Sequence, residues 1–280
     1  MFRRTDAAIS PTALYTGTVW RRNGLSHPAF ATFAGSALWT GLVAPRRAVA
    51  LLGAPDLDAL LLARHHSIDA LLERAIEAGE VSQVVEIAAG LSPRGWRFAS
   101  RYGPDLTYVE TDLPGMAHRK RGLLDRAALM GPGHRVRVLD AFEPAGPNSL
   151  AALADELDPD QGTAVITEGL INYFPMSNIV TLWNSVATAL HRFPRGLYLS
   201  DLHLDQSPGA VTATAKFLIT AFVRGNVYLH FENEDAALQG LRDAGFDDAE
   251  LMLPSSFEGV HAAPGVDRNH IVRAATTRPG

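Results

Sequence analysis

The sequence predicts an α/β protein built on a doubly wound, seven-stranded, mostly parallel sheet. From residue 82 onward, short runs rich in β-branched residues alternate with segments of helical length, which is typical of parallel sheets. The last two runs are close together and joined by a loop, which favours an antiparallel final pair. The first 81 residues stand outside this alternation, and we expect them to form an N-terminal helical cap.

Short runs bounded by turn residues predict the first four strands at residues 83–88, 106–112, 135–139 and 163–167. The intervening helices are expected at residues 94–102, 115–129 and 151–157. Ser92 suits the N-cap of the first of these helices, and Pro93 suits its first turn. Pro114 can open the second helix in the same way.

The second half of the chain continues the alternation. After Pro175, apolar residues recur at helical spacing and predict a helix through residues 179–191. Strands are expected at residues 197–202, 250–253 and 270–275. A helix over residues 233–245 should end with Gly245 in the left-handed C-cap position.

The predicted organisation is a cap over residues 1–81 and a sheet domain over residues 82–280, forming one structural domain overall. An inserted lid is expected near residues 205–232, where Phe217, Phe222, Tyr228 and Phe231 lie outside the strand pattern. Packed core explains this aromatic segment as well as a lid over a small organic acceptor does.

The composition is that of an ordinary globular chain. Of 280 residues, 47% are hydrophobic and 20% are charged, which excludes disordered and fibrous classes. The formal net charge of −5 gives no attraction toward phosphate backbones or anionic lipids, so neither nucleic acid nor membrane is an expected partner. The chain has no cysteine, which excludes thiolate metal sites and cysteine nucleophiles.

The N-terminus carries no uninterrupted apolar stretch of the kind found in export signals. The longest apolar stretches are also shorter than the ~20 residues needed to cross a bilayer. We therefore expect a soluble, cytoplasmic protein.

The ligand crevice of an open parallel sheet lies outside the carboxyl ends of its strands. The first strand leads into Ala88-Ala89-Gly90, small residues where a backbone can approach a ligand closely. Asp112 ends the second strand and can accept both hydroxyls of a ribose, while Asp140 follows the third strand and can bind an adenine amino group. The spaced glycines of a pyrophosphate-binding turn are missing, which argues against a nicotinamide cofactor.

Glu86 and Glu168 extend this set into an acidic rim. A rim of this kind suits a ligand with a positive centre, such as a sulfonium, better than one with a pyrophosphate.

Three segments resemble successive motifs of the S-adenosylmethionine-dependent methyltransferases of the leucine carboxyl methyltransferase type, a group that also includes bacterial polyketide O-methyltransferases. They are VVEIAAGLSPRGWRF at 84–98, YVETDLPGMAHRKR at 108–121 and AVITEGLINYFP at 164–175. With ARHHSID at 63–69, the resemblance covers roughly residues 60–200. It implies a Rossmann-like class I methyltransferase fold with S-adenosylmethionine as cofactor.

The resemblance also implies roles for single residues. Arg64 would hold the methionine carboxylate of the cofactor, which suits a guanidinium because it binds carboxylates bidentately. Where the family usually has Gly-Ala-Gly, this chain has Ala88-Ala89-Gly90. The full expected cofactor set is Arg64, Glu86, Ala88, Gly90, Asp112, Leu113, Asp140, Ala141, Glu168 and Gly169.

Methyl transfer from a sulfonium asks the protein mainly to align the acceptor oxygen and to exclude water. A carboxylate acceptor is ionised near pH 7, whereas a phenol with a pKa of about 10 can need a base. His203, after the fifth strand, is the candidate base, although a hydrogen bond within a loop would explain it as well. Tyr173, after the fourth strand, is the candidate for positioning the acceptor.

Two other groups of residues are given no role in binding or catalysis. No metal site is expected, because His65-His66 lacks the i, i+4 spacing of helical metal ligands. The basic cluster Arg119-Lys120-Arg121 is interpreted as the solvated face of a helix.

These observations predict an S-adenosylmethionine-dependent O-methyltransferase that acts on a carboxylate or hydroxyl of a small molecule, with a natural product as the leading class of acceptor. Two alternatives stay open. One is a cofactor-binding protein or cyclase on the same fold that transfers no methyl group. The other, less in accord with the residues, is a nicotinamide-dependent oxidoreductase. The identity of the acceptor and the oligomeric state do not follow from the sequence.

Overall fold

A computed structural model describes residues 11–44, 56–204, 228–260 and 263–278. The strands of this part of the chain are β1 Gln83–Ile87, β2 Thr107–Asp112, β3 His134–Val138, β4 Thr163–Thr167, β5 Arg195–His203, β6 Asp248–Met252 and β7 Asn269–Thr277. They form one sheet in the order β3-β2-β1-β4-β5-β7-β6. The first five strands are parallel, and β7 runs antiparallel between β5 and β6. The predicted fold class and the antiparallel final pair are confirmed.

The helices in the same ranges are α1 Pro11–Arg22, α2 Phe33–Gly41, α3 Leu57–Glu77, α4 Arg94–Tyr102, α5 Pro114–Arg126, α6 Leu150–Ala154, α7 Met176–Leu190 and α8 Glu234–Asp243. Helix α5 ends before the expected residue 129, because Ala128 takes a left-handed conformation with φ of 52°. Strand β5 begins two residues before the expected residue 197, because Arg195 already pairs with Thr277 of β7.

Apolar side chains cover both faces of the sheet. On one face, Val85 and Ile87 of β1 pack in a core that contains Trp183 of α7. On the other face, Val84 packs in a core with Ile68 and Leu72 of α3. Helix α3 therefore contacts the sheet directly, although it lies within the first 81 residues. The division into a cap and a sheet domain stays a prediction.

The inserted lid expected near residues 205–232 lies largely outside the described residues, which resume at Tyr228. Phe231 is buried and stacks on Trp183, with ring centroids 5.6 Å apart. This end of the aromatic segment is thus part of the core. Among the described helices, none combines the length and the apolar character needed to cross a membrane.

Helix α5 corrects the interpretation of the basic cluster at residues 119–121. Lys120 is buried rather than solvated, and its ammonium forms an ion pair with Glu110 of β2. The physical reason is its helical phase, because Met116, Ala117, Lys120 and Leu124 form the buried side of α5. Arg121 donates to the carbonyl oxygen of Val136.

Candidate functional site

The parallel register brings the carboxyl ends of β1, β2, β4 and β5 to one edge of the sheet. At this edge the turn after β1 bends sharply, with φ of 54° at Ala88 and 51° at Gly90. The amide of Gly90 donates to Asp112 Oδ2 at 2.8 Å, and the amide of Leu113 donates to Asp112 Oδ1 at 2.8 Å. The carboxylate of Asp112 thus fastens the turn to the end of β2.

Ala88 carries backbone strain, because a left-handed conformation costs a residue with a Cβ about 1–2 kcal/mol. We expect Ala88→Gly to raise the free energy of unfolding by about 1 kcal/mol. Ala89→Gly is the matched control, because Ala89 does not have a positive φ. This substitution should lower the free energy of unfolding by about 0.5–1 kcal/mol, since glycine adds backbone entropy to the unfolded chain. Denaturant unfolding measures both variants. Equal destabilisation by the two substitutions would contradict the strain at Ala88.

The start of helix α1 lies against the same turn. A Cβ built on Gly90 would lie 3.2 Å from the Cβ of Ala13, which is tighter than ordinary van der Waals contact. Glycine is therefore favoured at position 90 for two reasons: it adopts the positive φ without strain, and it leaves room for the close approach of α1. The sequence pattern gave no sign that the N-terminal residues would reach this turn.

Arg64 of α3 lies at the carboxyl end of β4, where two acids hold it. Its Nε donates to Glu168 Oε1 at 3.0 Å, and its Nη1 donates to Asp201 Oδ2 at 3.1 Å. Gly169, with φ of 65°, leaves room for this guanidinium, since a Cβ there would lie 3.0 Å from its nitrogens. The amide of Gly169 donates to Asp201 Oδ1 at 2.5 Å.

The side chains around Glu168 set its charge. Burial by itself would raise the pKa of Glu168, but His65, Arg94 and Arg64 outweigh it and hold that pKa well below its ordinary value. Burial likewise opposes the charge of Arg64, and Asp201 and Glu168 overcome it, so the pKa of Arg64 is raised. Both groups are therefore ionised at neutral pH.

Glu86 does not lie on an open rim, which corrects the sequence interpretation. It is buried, its Oε1 accepts from Arg94 Nη1 at 2.7 Å and its Oε2 accepts from the hydroxyl of Tyr108 at 2.8 Å. The reason is strand alternation, which places Glu86 on the same face as Val84, where helix α3 packs. Glu168 is also compensated by arginines, so the edge is an ion-pair network rather than a row of bare acids.

Arg94 is the residue that sequence reasoning missed. Its guanidinium is fully buried and contacts Asp69 at 2.5 Å, Glu86 at 2.7 Å and Glu168 at 2.6 Å. A signal was present, since an acid inside a buried strand needs a cation nearby and Arg94 follows Glu86 by only eight residues.

Asp140 and Ala141 follow β3 at the same edge. The amide of Leu139 donates to the carbonyl of Asp112 at 3.0 Å, which brings this loop beside the end of β2. Asp140 Oδ1 accepts from the amide of Phe142 at 3.0 Å and so stabilises the turn. Ala141 also lines a separate cleft of about 220 Å³ between α6 and α7.

Tyr173 and His203 lie near the Arg64 cluster. Burial raises the pKa of Tyr173, although Arg64 opposes the shift, so the phenol stays protonated at neutral pH. His203 Nδ1 lies 3.2 Å from the carbonyl oxygen of Arg268. In the neutral ring, Nδ1 donates to that oxygen and Nε2 keeps a lone pair. Burial lowers the pKa of His203, with Asp201 opposing, which favours this neutral form.

Asn172 fixes the backbone around His203. Its Oδ1 accepts from the amide of His203 at 3.2 Å, and its Nδ2 donates to the carbonyl of Tyr228 at 2.7 Å. The backbone amide of Tyr228 also donates to the carbonyl of Asn172 at 2.9 Å. The end of β5 and the start of the 228–260 range are thus held to the same residue.

The strand order, the sharp turn after β1 and the acid at the end of β2 together define the class I fold of the S-adenosylmethionine-dependent methyltransferases. The chain belongs to the leucine carboxyl methyltransferase family, since the model of that family matches residues 33–187. The cofactor of this chain is accordingly S-adenosylmethionine.

Two curated relatives agree with this family. The chain is 32% identical over 160 residues to a provisionally named S-adenosyl-L-methionine-dependent methyltransferase of Frankia alni, a match that covers 56% of this chain and 54% of the relative. It is 34% identical over 132 residues to a protein of Mycobacterium marinum with the same provisional name, covering 47% and 38%. The matches thus span about half, or less, of each relative's length.

Solved structures share the fold. A provisionally named methyltransferase of Thermobifida fusca superposes with a TM-score of 0.67 at 13% identity, covering 99% of this chain and 97% of that one. A DUF574 family protein of Streptomyces avermitilis gives a TM-score of 0.64 at 13% identity, covering 96% and 97%. At these identities the likeness concerns the fold alone.

Proposed function

We propose that the protein is an S-adenosylmethionine-dependent O-methyltransferase acting on a carboxylate or hydroxyl of a small molecule, with a natural product as the leading class of acceptor. One observation carries the proposal. Three features lie at one edge of the sheet. They are the sharp Ala88–Gly90 turn after β1, the carboxylate of Asp112 at the end of β2, and the guanidinium of Arg64, whose charge is compensated by Glu168 after β4.

The residues at this edge fit the cofactor. Arg64 suits the methionine carboxylate because guanidinium groups bind carboxylates through paired hydrogen bonds. Asp112 suits the ribose hydroxyls, with Leu113 beside it, and the absence of a Cβ at Gly90 lets the backbone come close. The remaining members of the proposed set are Ala88, Asp140, Ala141, Glu168 and Gly169, with Glu86 supporting them from inside the network.

When bound, S-adenosylmethionine supplies a methyl group on a sulfonium, from which the rest of the cofactor departs as a neutral thioether. The work left to the protein is to hold the acceptor oxygen in line and to keep water out. The protonated phenol of Tyr173 can donate a hydrogen bond to the acceptor. The Nε2 lone pair of His203 can take the proton from a hydroxyl acceptor.

The decisive experiment combines binding with transfer. Calorimetry with S-adenosylhomocysteine should show binding, and labelled S-adenosylmethionine should pass its methyl group to members of a panel of small carboxylates and phenols. Binding of S-adenosylhomocysteine without transfer to any acceptor would favour the non-methylating alternative. An absence of binding would contradict the proposal.

The pH dependence separates the two acceptor classes. With a hydroxyl acceptor, the rate should fall as the pH drops through the lowered pKa of His203, below the ordinary value of about 6.5, because the protonated ring cannot act as a base. His203→Gln should lower that rate by about 10²-fold or more and remove this acid limb. A carboxylate acceptor should show neither effect.

His191→Gln is the matched control for this experiment. His191 lies at the end of α7, where it contacts the carbonyls of Gly245 and Thr277 at the opposite edge of the sheet. The substitution should leave the pH profile unchanged. If the His203→Gln protein methylated a hydroxyl acceptor as fast as the unaltered protein does, His203 would not be the catalytic base.

A further inference from the structure

The guanidinium of Arg94 joins three structural elements inside the protein. It contacts Asp69 of α3, Glu86 of β1 and Glu168 after β4, and it has no exposed surface. Neither the family resemblance nor the expected cofactor set gives it a role. A buried arginine with three carboxylate partners has little freedom to move, so it can act as a fixed reference point for the groups around it.

Arg94 and Arg64 share one carboxylate. Arg94 Nη2 binds Glu168 Oε2 at 2.6 Å, and Arg64 Nε binds Glu168 Oε1 at 3.0 Å. Arg94 and His65 Nδ1, which lies 2.9 Å from the same Oε2, together hold the plane of the carboxylate, and that plane directs the second contact. The orientation of the Arg64 guanidinium therefore depends on Arg94, although the two arginines belong to different helices.

The charges in this network call for such a support. Among the described residues, the connected ion pairs include the carboxylates of Asp69, Glu86, Glu168 and Asp201 and the guanidinium groups of Arg64, Arg94 and Arg97. Acids outnumber arginines by one, and His65 also lies against Asp69 and Glu168. The loss of a bridging arginine would leave buried carboxylates facing each other. Arg97 is the most exposed of the three arginines, with 28% of its side chain exposed.

We propose that Arg94 is a positioning residue for the cofactor, which holds Glu168 so that Arg64 presents its guanidinium to the methionine carboxylate. This inference rests on the proposed function, because it takes Arg64 as the carboxylate-binding residue. Arg94 itself touches only protein groups. Its effect is confined to the amino-acid end of the cofactor and does not extend to the adenosine end.

The test is Arg94→Lys, which keeps the positive charge but loses the planar fork that bridges three acids. Two probes are titrated by calorimetry. S-adenosylhomocysteine carries the amino-acid carboxylate, and 5′-methylthioadenosine has the same nucleoside and sulfur without it. The dissociation constant for S-adenosylhomocysteine should rise at least tenfold, while that for methylthioadenosine should change by less than twofold.

Arg97→Lys is the matched control. Arg97 Nη1 binds Asp69 Oδ2 at 2.6 Å, on the same acid as Arg94, but it makes no contact with Glu168. The affinity of the Arg97→Lys protein for both probes should stay within twofold of that of the unaltered protein. Circular dichroism and a thermal melt establish that each variant is folded.

A second variant keeps the proposal testable if the Arg94→Lys protein does not fold. Asp69→Asn retains Arg94 but removes the charge of the acid that binds its Nε, so the guanidinium is held less firmly and the same selective loss of S-adenosylhomocysteine should follow. The proposal is overturned if a folded variant binds S-adenosylhomocysteine within twofold of normal, or loses both probes equally. Loss of folding in both variants would also overturn it, since the role would then be purely structural.

The failure of this inference differs from that of the proposed function. If the unaltered protein does not bind S-adenosylhomocysteine, or if Arg64→Lys binds it normally, the placement of the cofactor is wrong and the inference falls with it. If Arg64→Lys loses binding and Arg94→Lys does not, only the role of Arg94 is wrong.

Discussion

Replacing Arg64 with methionine should weaken the binding of S-adenosylhomocysteine by about 100-fold or more. Hydrogen bonds to charged groups contribute about 1.5–3 kcal/mol each, and the loss of a paired contact with a carboxylate costs about 3 kcal/mol. Each 1.4 kcal/mol corresponds to about a tenfold change in affinity. The change should fall on binding because Arg64 lies at the sheet edge where the cofactor is proposed to bind.

Loss of Arg64 also alters the protein without cofactor. Glu168 and Asp201 each lose an ion pair, and the pKa of Glu168 should rise because one of the cations that lowers it is gone. Arg101→Met is the control, because Arg101 is an exposed arginine paired with Glu73 and Glu77 on the outer surface. It should bind S-adenosylhomocysteine normally. A folded Arg64→Met protein with unaltered affinity would show that the methionine carboxylate lies elsewhere.

The fold could be predicted from the sequence because its signals are local. Parallel strands buried on both faces give continuous runs of Val, Ile and Thr, as in β4. Pro93, just before α4, and Pro114, the first residue of α5, mark where those helices begin. The N-terminal helices were less visible. No bounds were predicted for α3, which spans Leu57–Glu77, and nothing in the pattern indicated that α1 places Ala13 against the turn after β1.

The site was predictable only in part. Asp112 and Gly90 follow from the rule that ligands bind beyond the carboxyl ends of strands, and they are joined by a 2.8 Å hydrogen bond. Arg64 entered through the family resemblance alone, because its partner Glu168 lies 104 residues away. The contacts of Arg94 with Asp69 and Glu168 were missed for the same reason. The Lys120–Glu110 pair was missed because the basic cluster was interpreted by its charge and not by its helical phase. A local pattern gives the face on which a residue lies, but it does not identify a partner on a distant element.

Replacing Lys120 with methionine should produce the largest loss of stability. The ammonium of Lys120 is the main cation beside Glu110, which is buried between it and His134 Nε2 at 2.8 Å. Removing one partner of a buried ion pair costs about 3–5 kcal/mol because the remaining charge stays desolvated. For a chain of this size, the melting temperature should fall by roughly 10 °C. A thermal melt without cofactor measures the change.

The pH dependence of that loss identifies its cause. Burial would raise the pKa of Glu110, but Lys120 and His134 lower it below its ordinary value of about 4.5. The stability that this group contributes is present above that value and is lost as the pH falls through the lowered pKa of the folded state. The difference between Lys120→Met and the unaltered protein should therefore shrink in acid, because protonated Glu110 no longer needs a cation.

Two further variants separate charge from packing at this position. Lys120→Met combined with Glu110→Gln should recover more than half of the lost stability, because the uncompensated carboxylate is gone. Arg119→Met, one residue earlier on α5, should change the free energy of unfolding by less than about 0.5 kcal/mol. If the double variant were as unstable as Lys120→Met, the loss would come from the packing of the lysine chain against the turn at Ala89, whose carbonyl lies 3.5 Å from Nζ. If it recovers, the buried Lys120–Glu110 pair holds α5 against β2 mainly through charge compensation.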